Sequence, residues 1–184
     1  MPAYLVVLFT AGYWQSLSLP QGCSGNPCKH WRRFARGDIG LAQAVGLMAF
    51  QLRLAASASC VSDLTVPGAA GFGLEFLGVF ADSMLVGGLA AFSSGDSWLR
   101  NEEVQRPLLY VLSTWLTYHG LYLTGMFSNP ANASAQTLGC RGTPLWLHFA
   151  VYWAAPLLAV SLGHRLEAVA AATQTPAERH EKQQ

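Results

Sequence analysis

Gly125-Met126-Phe127-Ser128-Asn129-Pro130-Ala131 decides the reading of this chain, because it has a counterpart in Gly22-Cys23-Ser24-Gly25-Asn26-Pro27-Cys28. In each, a glycine-bearing link leaves an apolar stretch, meets Asn-Pro, and is followed by a short run of helix-compatible residues. Proline suits the first helical position, where its missing N–H would have no partner anyway. The preceding asparagine can cap the helix with its side-chain oxygen. Neither run approaches the roughly 20 apolar residues that a bilayer-spanning helix needs. Non-helical backbone at membrane depth is tolerated only against protein or a watery cavity. The pattern therefore predicts two half-helices, 27–36 and 130–138, placed end to end at the middle of a pore. Each tip carries an asparagine amide that can hold a passing water. A single Asn-Pro is usually the capped start of an ordinary helix or turn; two in matching contexts argue against that.

The matching contexts lie in a chain of 184 residues that is 52% hydrophobic and only 11% charged. Soluble domains carry about 25% charged residues. Five apolar segments, 3–19, 39–59, 71–92, 107–125 and 144–163, predict an all-α membrane protein with five spanning helices. A soluble protein with five buried core helices would have little polar surface left to cover them. The first segment could also be read as a signal peptide, but it lacks a basic leader and an A-x-A-like cleavage site. Eighteen glycines suit close helix packing in lipid, and six tryptophans suit the headgroup belt. The net charge of +1 argues against a nucleic-acid partner.

Charge placement sets the orientation. If the segments alternate, Lys29, Arg32, Arg33, Arg36, Arg100, Arg106, Arg165, Arg179 and Lys182 share one side, and Arg141 stands alone on the other. Excess Lys and Arg in short loops marks the cytosol, so the carboxyl terminus is expected there. The two half-helices then enter from opposite faces. That is an inverted repeat, whose working site lies near the midplane between repeats.

These residues resemble the aquaporin family, and its unorthodox branch, sometimes called superaquaporins, in particular. The likeness rests on Asn26-Pro27-Cys28, on Leu123 to Ala131, on Val151-Tyr152-Trp153-Ala154-Ala155-Pro156, on the position of Cys140 after Asn129, and on Gly71-Phe72-Gly73-Leu74-Glu75. It implies a partial first repeat over 1–59, an exoplasmic loop over 60–70, a second repeat over 71–163 and a polar cytosolic tail over 164–184. The family's first spanning helix has no counterpart here. The resemblance also implies pore motifs Asn26, Pro27, Cys28, Asn129, Pro130 and Ala131, with a selectivity region at Val6, Thr117, Met126 and Asn132. The arginine usual after the second motif is replaced by Asn132, which removes a cation barrier and its five donors. Glu75 is implied to be a buried structural charge that holds loop backbone beside the pore. Homotetramers, and residence in an intracellular membrane such as the endoplasmic reticulum or in the plasma membrane, are family expectations as well.

Other residues carry weaker readings. Asp82 could serve Arg53 or face water. Residues 29–36 read as a positive-inside signal or a lipid-binding patch. The Asn132-Ala133-Ser134 sequon would fall inside a pore-lining half-helix, where a glycan does not fit. Cys60 and Cys140 could form a disulfide on the oxidising face, with free buried thiols as the default. The aromatic residues of 107–125 suit packing and anchoring at least as well as a ligand site. Residues 171–184 read as a disordered tail. No metal pattern, cofactor motif or catalytic constellation stands out among the five histidines and four cysteines. The expected function is a passive channel for water and small neutral solutes such as glycerol or hydrogen peroxide, with the lipid bilayer as surroundings. The competing classes are a non-conducting structural or interaction protein and a proton-coupled transporter using Glu75 and Asp82.

Overall fold

In the computed structural model, residues 6, 10, 24–56, 64–92, 101–140 and 142–173 are described. Among them the architecture is all-α. The helices are α1 (Pro27–Ala35), α2 (Leu41–Ala55), α3 (Gly68–Phe92), α4 (Glu102–Gly120) and α5 (Pro130–Thr137). A last continuous helical stretch contains α6 (Leu145–Phe149), a π-helical turn (Ala150–Ala154) and α7 (Ala155–Thr173). Segment 3–19 lies outside the described residues apart from Val6 and Thr10, both helical.

Among the described residues two stretches are long and apolar enough to cross a membrane, Gly68–Leu85 and Leu145–Ala170. This is consistent with a helical membrane protein. The α2 helix has 15 residues, about 22 Å at 1.5 Å per residue, short of a hydrocarbon core of about 30 Å. The α4 helix starts on Glu102, Glu103, Gln105 and Arg106, which dilute its apolar run. It ends at Gly120, so the stretch 121–125 assigned to the span from sequence is turn and link. Pro107 sits inside α4.

The last stretch differs most from its sequence reading. It does not end at 163 but continues to Thr173, so residues 164–173 are helix rather than polar tail. Residues 174–184 lie outside the described residues. Its π turn sits immediately before the fully buried Pro156. A proline lacks the donor for the i−4 bond, and its ring presses on that carbonyl, here Tyr152. One wider turn absorbs both effects without breaking the helix.

Packing centres on α3 against α7, which make the most extensive pairing. Small residues set their approach: a Cβ on Gly163 would come within 3.2 Å of Ser83 Cβ. The short helices α1 and α5 are inserted into this frame. The first lies against α2 and α7, the second against α2 and the π turn, and the two also touch each other. Each has its own small core. Cys28 of α1 packs with Val79, Ala159 and Val160. Ala133 of α5 packs with Val151, Tyr152 and Trp153. Leu157 borders both clusters. Large apolar side chains such as Leu41, Phe50, Leu77, Trp115, Leu158 and Leu166 stay exposed on the outside, the arrangement a lipid solvent favours.

Candidate functional site

The site is built where α1 and α5 present their amino ends to each other. Asn26 has extended backbone, and its Oδ1 accepts from the Cys28 N–H at 3.0 Å. Asn129 is also extended, and its Oδ1 accepts from the Ala131 and Asn132 N–H groups at 3.1 and 3.3 Å. Pro27 and Pro130 open the two helices and are fully buried. With the oxygens capping, the amide nitrogens are left to point across. Asn26 Nδ2 donates to the Ser128 carbonyl at 3.1 Å, and Asn129 Nδ2 donates to the Gly25 carbonyl at 3.3 Å. Each cap thus holds the other tip's approach loop. Each amide nitrogen carries two hydrogens, so one donor per asparagine remains beyond these bonds.

The link before Asn129 takes an unfavourable path. Gly125, Met126 and Ser128 have φ of +86°, +39° and +48°, and the last two are not glycine. Left-handed backbone costs non-glycine residues free energy and persists only when surroundings over-determine it. Glu75 supplies that determination from α3. It is completely buried. Its Oε1 accepts from Thr124 Oγ1 at 2.8 Å and from the Phe127 N–H at 3.2 Å, and its Oε2 accepts from the Ser128 N–H at 3.3 Å. Thr124 is fixed in turn, since its carbonyl accepts from the Tyr152 hydroxyl at 2.9 Å and its Oγ1 accepts from the Met126 N–H at 3.0 Å.

Met126 itself is 7% exposed. Its side chain fills the gap left by two glycines. A Cβ on Gly120 would fall 2.6 Å from Met126 Cβ, and one on Gly78 would fall 2.6 Å from Met126 Sδ. Gly120→Ala should therefore lower stability by about 1–3 kcal/mol, the range for overpacking, because the Cβ it meets is tied to the strained link. Gly78→Ala should cost less, because the thioether it meets can swing away. Thermal unfolding in detergent micelles checks the order, and equal effects would contradict it.

The α5 helix is braced by a buried hydrogen-bond chain that the sequence reading did not single out. Trp153 Nε1 donates to Ser134 Oγ at 2.9 Å, and Ser134 Oγ lies 3.0 Å from His148 Nε2. On the other side of the ring, Nδ1 lies 3.0 Å from Thr137 Oγ1, which donates to the Ala133 carbonyl at 2.9 Å. The Thr137 proton is already used, so His148 Nδ1 must be the donor there. Nε2 then accepts the Ser134 proton, which fixes the Nδ1–H tautomer through the network. The sequence signal was a histidine one helical turn before the Tyr-Trp pair.

At α1 the bracing is less complete. His30 Nε2 lies 3.1 Å from the Ser24 carbonyl and 3.0 Å from Gln51 Nε2, and Trp31 Nε1 donates to Ser161 Oγ at 2.8 Å. Arg32, at the carboxyl end of α1, pairs with Glu167 of α7, and Arg36 lies 3.7 Å from the same carboxylate. So part of the basic patch is paired within the fold. Cys28 is a buried free thiol. Cys140 is disulfide-bonded; Cys60 lies outside the described residues.

The remaining sequence candidates sit on three different elements. Val6 is 59% exposed on its helical turn. Thr117 is half-buried on α4, and its hydroxyl donates to the Ser113 carbonyl at 2.9 Å. Asn132 is exposed on α5 and accepts from Gln136 Nε2 at 3.0 Å. Asp82 accepts from the Ser113 hydroxyl; among the described residues it makes no ion pair with Arg53, which is exposed. No group of three His, Cys, Asp or Glu that could hold a metal occurs among the described residues.

Against known proteins, the chain is 23% identical over 189 residues to Aquaporin-11 of Milnesium tardigradum. The match takes in 89% of this chain but 64% of that protein, so the chain spans less than two thirds of its relative's length. No family model matches the chain, and no solved structure matches it. The relationship to an aquaporin-family protein is thus weak and partial, a similarity at superfamily level.

Proposed function

We propose that this chain is a passive transmembrane channel for water and small neutral solutes. The observation that carries the reading is the reciprocal pair of bonds from Asn26 Nδ2 to the Ser128 carbonyl and from Asn129 Nδ2 to the Gly25 carbonyl. These bonds set two helix amino ends tip to tip. Helix amino ends carry partial positive charge, so a junction of two of them repels cations. The donor left on each asparagine is offered to a solute oxygen. A water held through its oxygen by two donors cannot accept a further proton, which interrupts proton relay.

In this reading α1 and α5 are re-entrant half-helices of an inverted repeat with five spans, and their tips lie at the bilayer midplane. Val6, Thr117, Met126 and Asn132 form the narrow region. The Met126 side chain is enclosed by Gly78 and Gly120, so its backbone faces the path. Cys28 and Ala131, buried behind the tips, are packing members of the two motifs. Homotetramers, with one pore per protomer and a cytosolic carboxyl terminus, belong to the same proposal. The distant relationship to a channel protein supports a role without catalysis.

The test is reconstitution of the full chain into liposomes with stopped-flow swelling. Water flux above empty vesicles is the expected result. Flux equal to empty vesicles, with folded protein present in the membrane, overturns the proposal.

A further inference from the structure

The carboxyl end of α1 lies along α7. Trp31 Nε1 donates to Ser161 Oγ at 2.8 Å, Arg32 pairs with Glu167, and Arg36 reaches the same carboxylate at 3.7 Å. His164 sits between these anchors on α7, three residues after Ser161 and three before Glu167. Residues three apart share a helix face, so His164 belongs to the stretch that α1 covers. Two polar atoms of this junction are unsatisfied: among the described residues, Arg32 Nε and His164 Nδ1 are buried and have no hydrogen-bond partner. Such groups are costly to leave unpaired. The Arg32 Nε–H can only donate, so whatever completes the junction brings an acceptor. Charge points the same way. Residues 27–36 carry Lys29, Arg32, Arg33 and Arg36 and no acid, and a single carboxylate of α7 is shared between two of these arginines. Beside the junction, Leu158, Leu162, Leu166 and Val169 recur at helical spacing as an exposed apolar stripe on α7. The exposed Arg165 stands at the edge of that stripe.

We propose that the α1–α7 junction binds the phosphomonoester headgroup of an anionic phospholipid such as phosphatidate, with the acyl chains along the α7 stripe. A phosphate monoester brings three strong acceptor oxygens and close to two negative charges. These match the Arg32 Nε–H, the His164 ring and the Arg36 guanidinium in number and sign, through charge-assisted bonds. A phosphodiester headgroup offers two unshared oxygens and one charge, and leaves one of those donors unmet. Arg36 is half exposed and only loosely held by Glu167, so it turns to the phosphate while Arg32 keeps the carboxylate. The apolar stripe decides between a lipid and a free phosphate, since an inorganic ion satisfies the donors but makes no use of the leucines. Anionic lipids are concentrated in the cytoplasmic leaflet, the side on which the basic residues of 29–36 are expected. The proposal needs the chain to sit in a bilayer but not to conduct, so it stands or falls apart from the channel reading.

The experiment uses the full chain in neutral detergent micelles, with lipid binding counted by native mass spectrometry. The probes are dioctanoyl phosphatidate, phosphatidylserine and phosphatidylcholine, with inorganic phosphate as competitor. One phosphatidate per chain should bind, more tightly than either other lipid, and phosphate should displace it only at far higher concentration. Arg36→Gln should weaken phosphatidate binding by about tenfold, the loss of roughly one charge-assisted hydrogen bond. Arg32→Lys keeps a cation for Glu167 but lacks the guanidinium fork, and should weaken binding likewise. Glu167→Gln releases both arginines from the carboxylate and should tighten binding, a gain that loss of a merely structural ion pair would not give. Thermal unfolding in the same micelles checks that each variant is folded, and Arg36→Gln and Glu167→Gln decide the matter if Arg32→Lys is not. Equal binding of phosphatidate and phosphatidylserine would reduce the junction to a general anionic surface. Equal potency of inorganic phosphate would make the ligand a free ion. Unchanged binding in Arg36→Gln, or weaker binding in Glu167→Gln, would leave only a structural ion pair. Each of these results overturns the proposal.

Discussion

Replacing Glu75 by Ala is expected to produce a large loss of stability. Three donors, the buried Thr124 Oγ1 and the half-buried N–H groups of Phe127 and Ser128, would lose their acceptors together. Each buried group left unsatisfied costs about 1–3 kcal/mol, so the total is about 3–5 kcal/mol after partial relaxation. The strain in Met126 and Ser128 adds to the effect, since the carboxylate is one of the contacts that hold the link at positive φ. Glu75→Gln separates the two oxygens' roles. Its remaining oxygen can serve Thr124 and Phe127, but its NH₂ would face the Ser128 N–H, donor against donor. An intermediate loss is expected. Thermal unfolding in micelles gives the ranking, wild type above Gln above Ala, and an Ala variant as stable as wild type would mean that the carboxyl does not hold the link. Water flux should fall with stability, because the displaced Ser128 carbonyl is the acceptor for Asn26.

Asn129→Leu is expected to abolish flux with a smaller cost to the fold. The variant removes a capping acceptor for two N–H groups, worth about 0.5–2 kcal/mol. It also removes the donor to Gly25 and the second amide hydrogen, which the proposed channel offers to the solute. Leucine of similar size would leave an apolar plug at the junction. Stopped-flow swelling should fall to the level of empty vesicles. Asn129→Asp refines the test: its oxygens can cap the helix, so the fold should persist, yet it offers no N–H to solute or to Gly25. Flux in either variant equal to the starting protein would show that the solute takes another path.

The Asn-Pro steps were legible because capping is a local matter. A side-chain oxygen two residues from the N–H it accepts, followed by a proline at the first helical position, is written into adjacent residues. The apolar runs made the all-α character legible in the same way. The five spans and the inverted repeat are a proposal, because two helices among the described residues meet the length and polarity needed to cross a membrane. What sequence did not disclose is pairing across distance. Nothing near His148 says that its ring will join Ser134 to Thr137. Nothing near Glu167, assigned to a polar tail, says that it will meet Arg32 of α1. Met126 read as a pore residue by its place in the link, yet the absence of side chains at Gly78 and Gly120 draws its thioether inward. The π turn escaped for a different reason: Pro156 signals a disturbance but not whether the helix kinks, stops or widens.

The crossed bonds between the two tips impose an order of events on synthesis. Asn26 finds its acceptor in Ser128, 102 residues later, which at about 5–20 residues per second takes about 5–20 s to emerge. Until then the amino-terminal tip has its cap and its contacts with α2, but not the facing tip. The crossed pair of bonds therefore closes late, after the whole stretch between the two tips has been made.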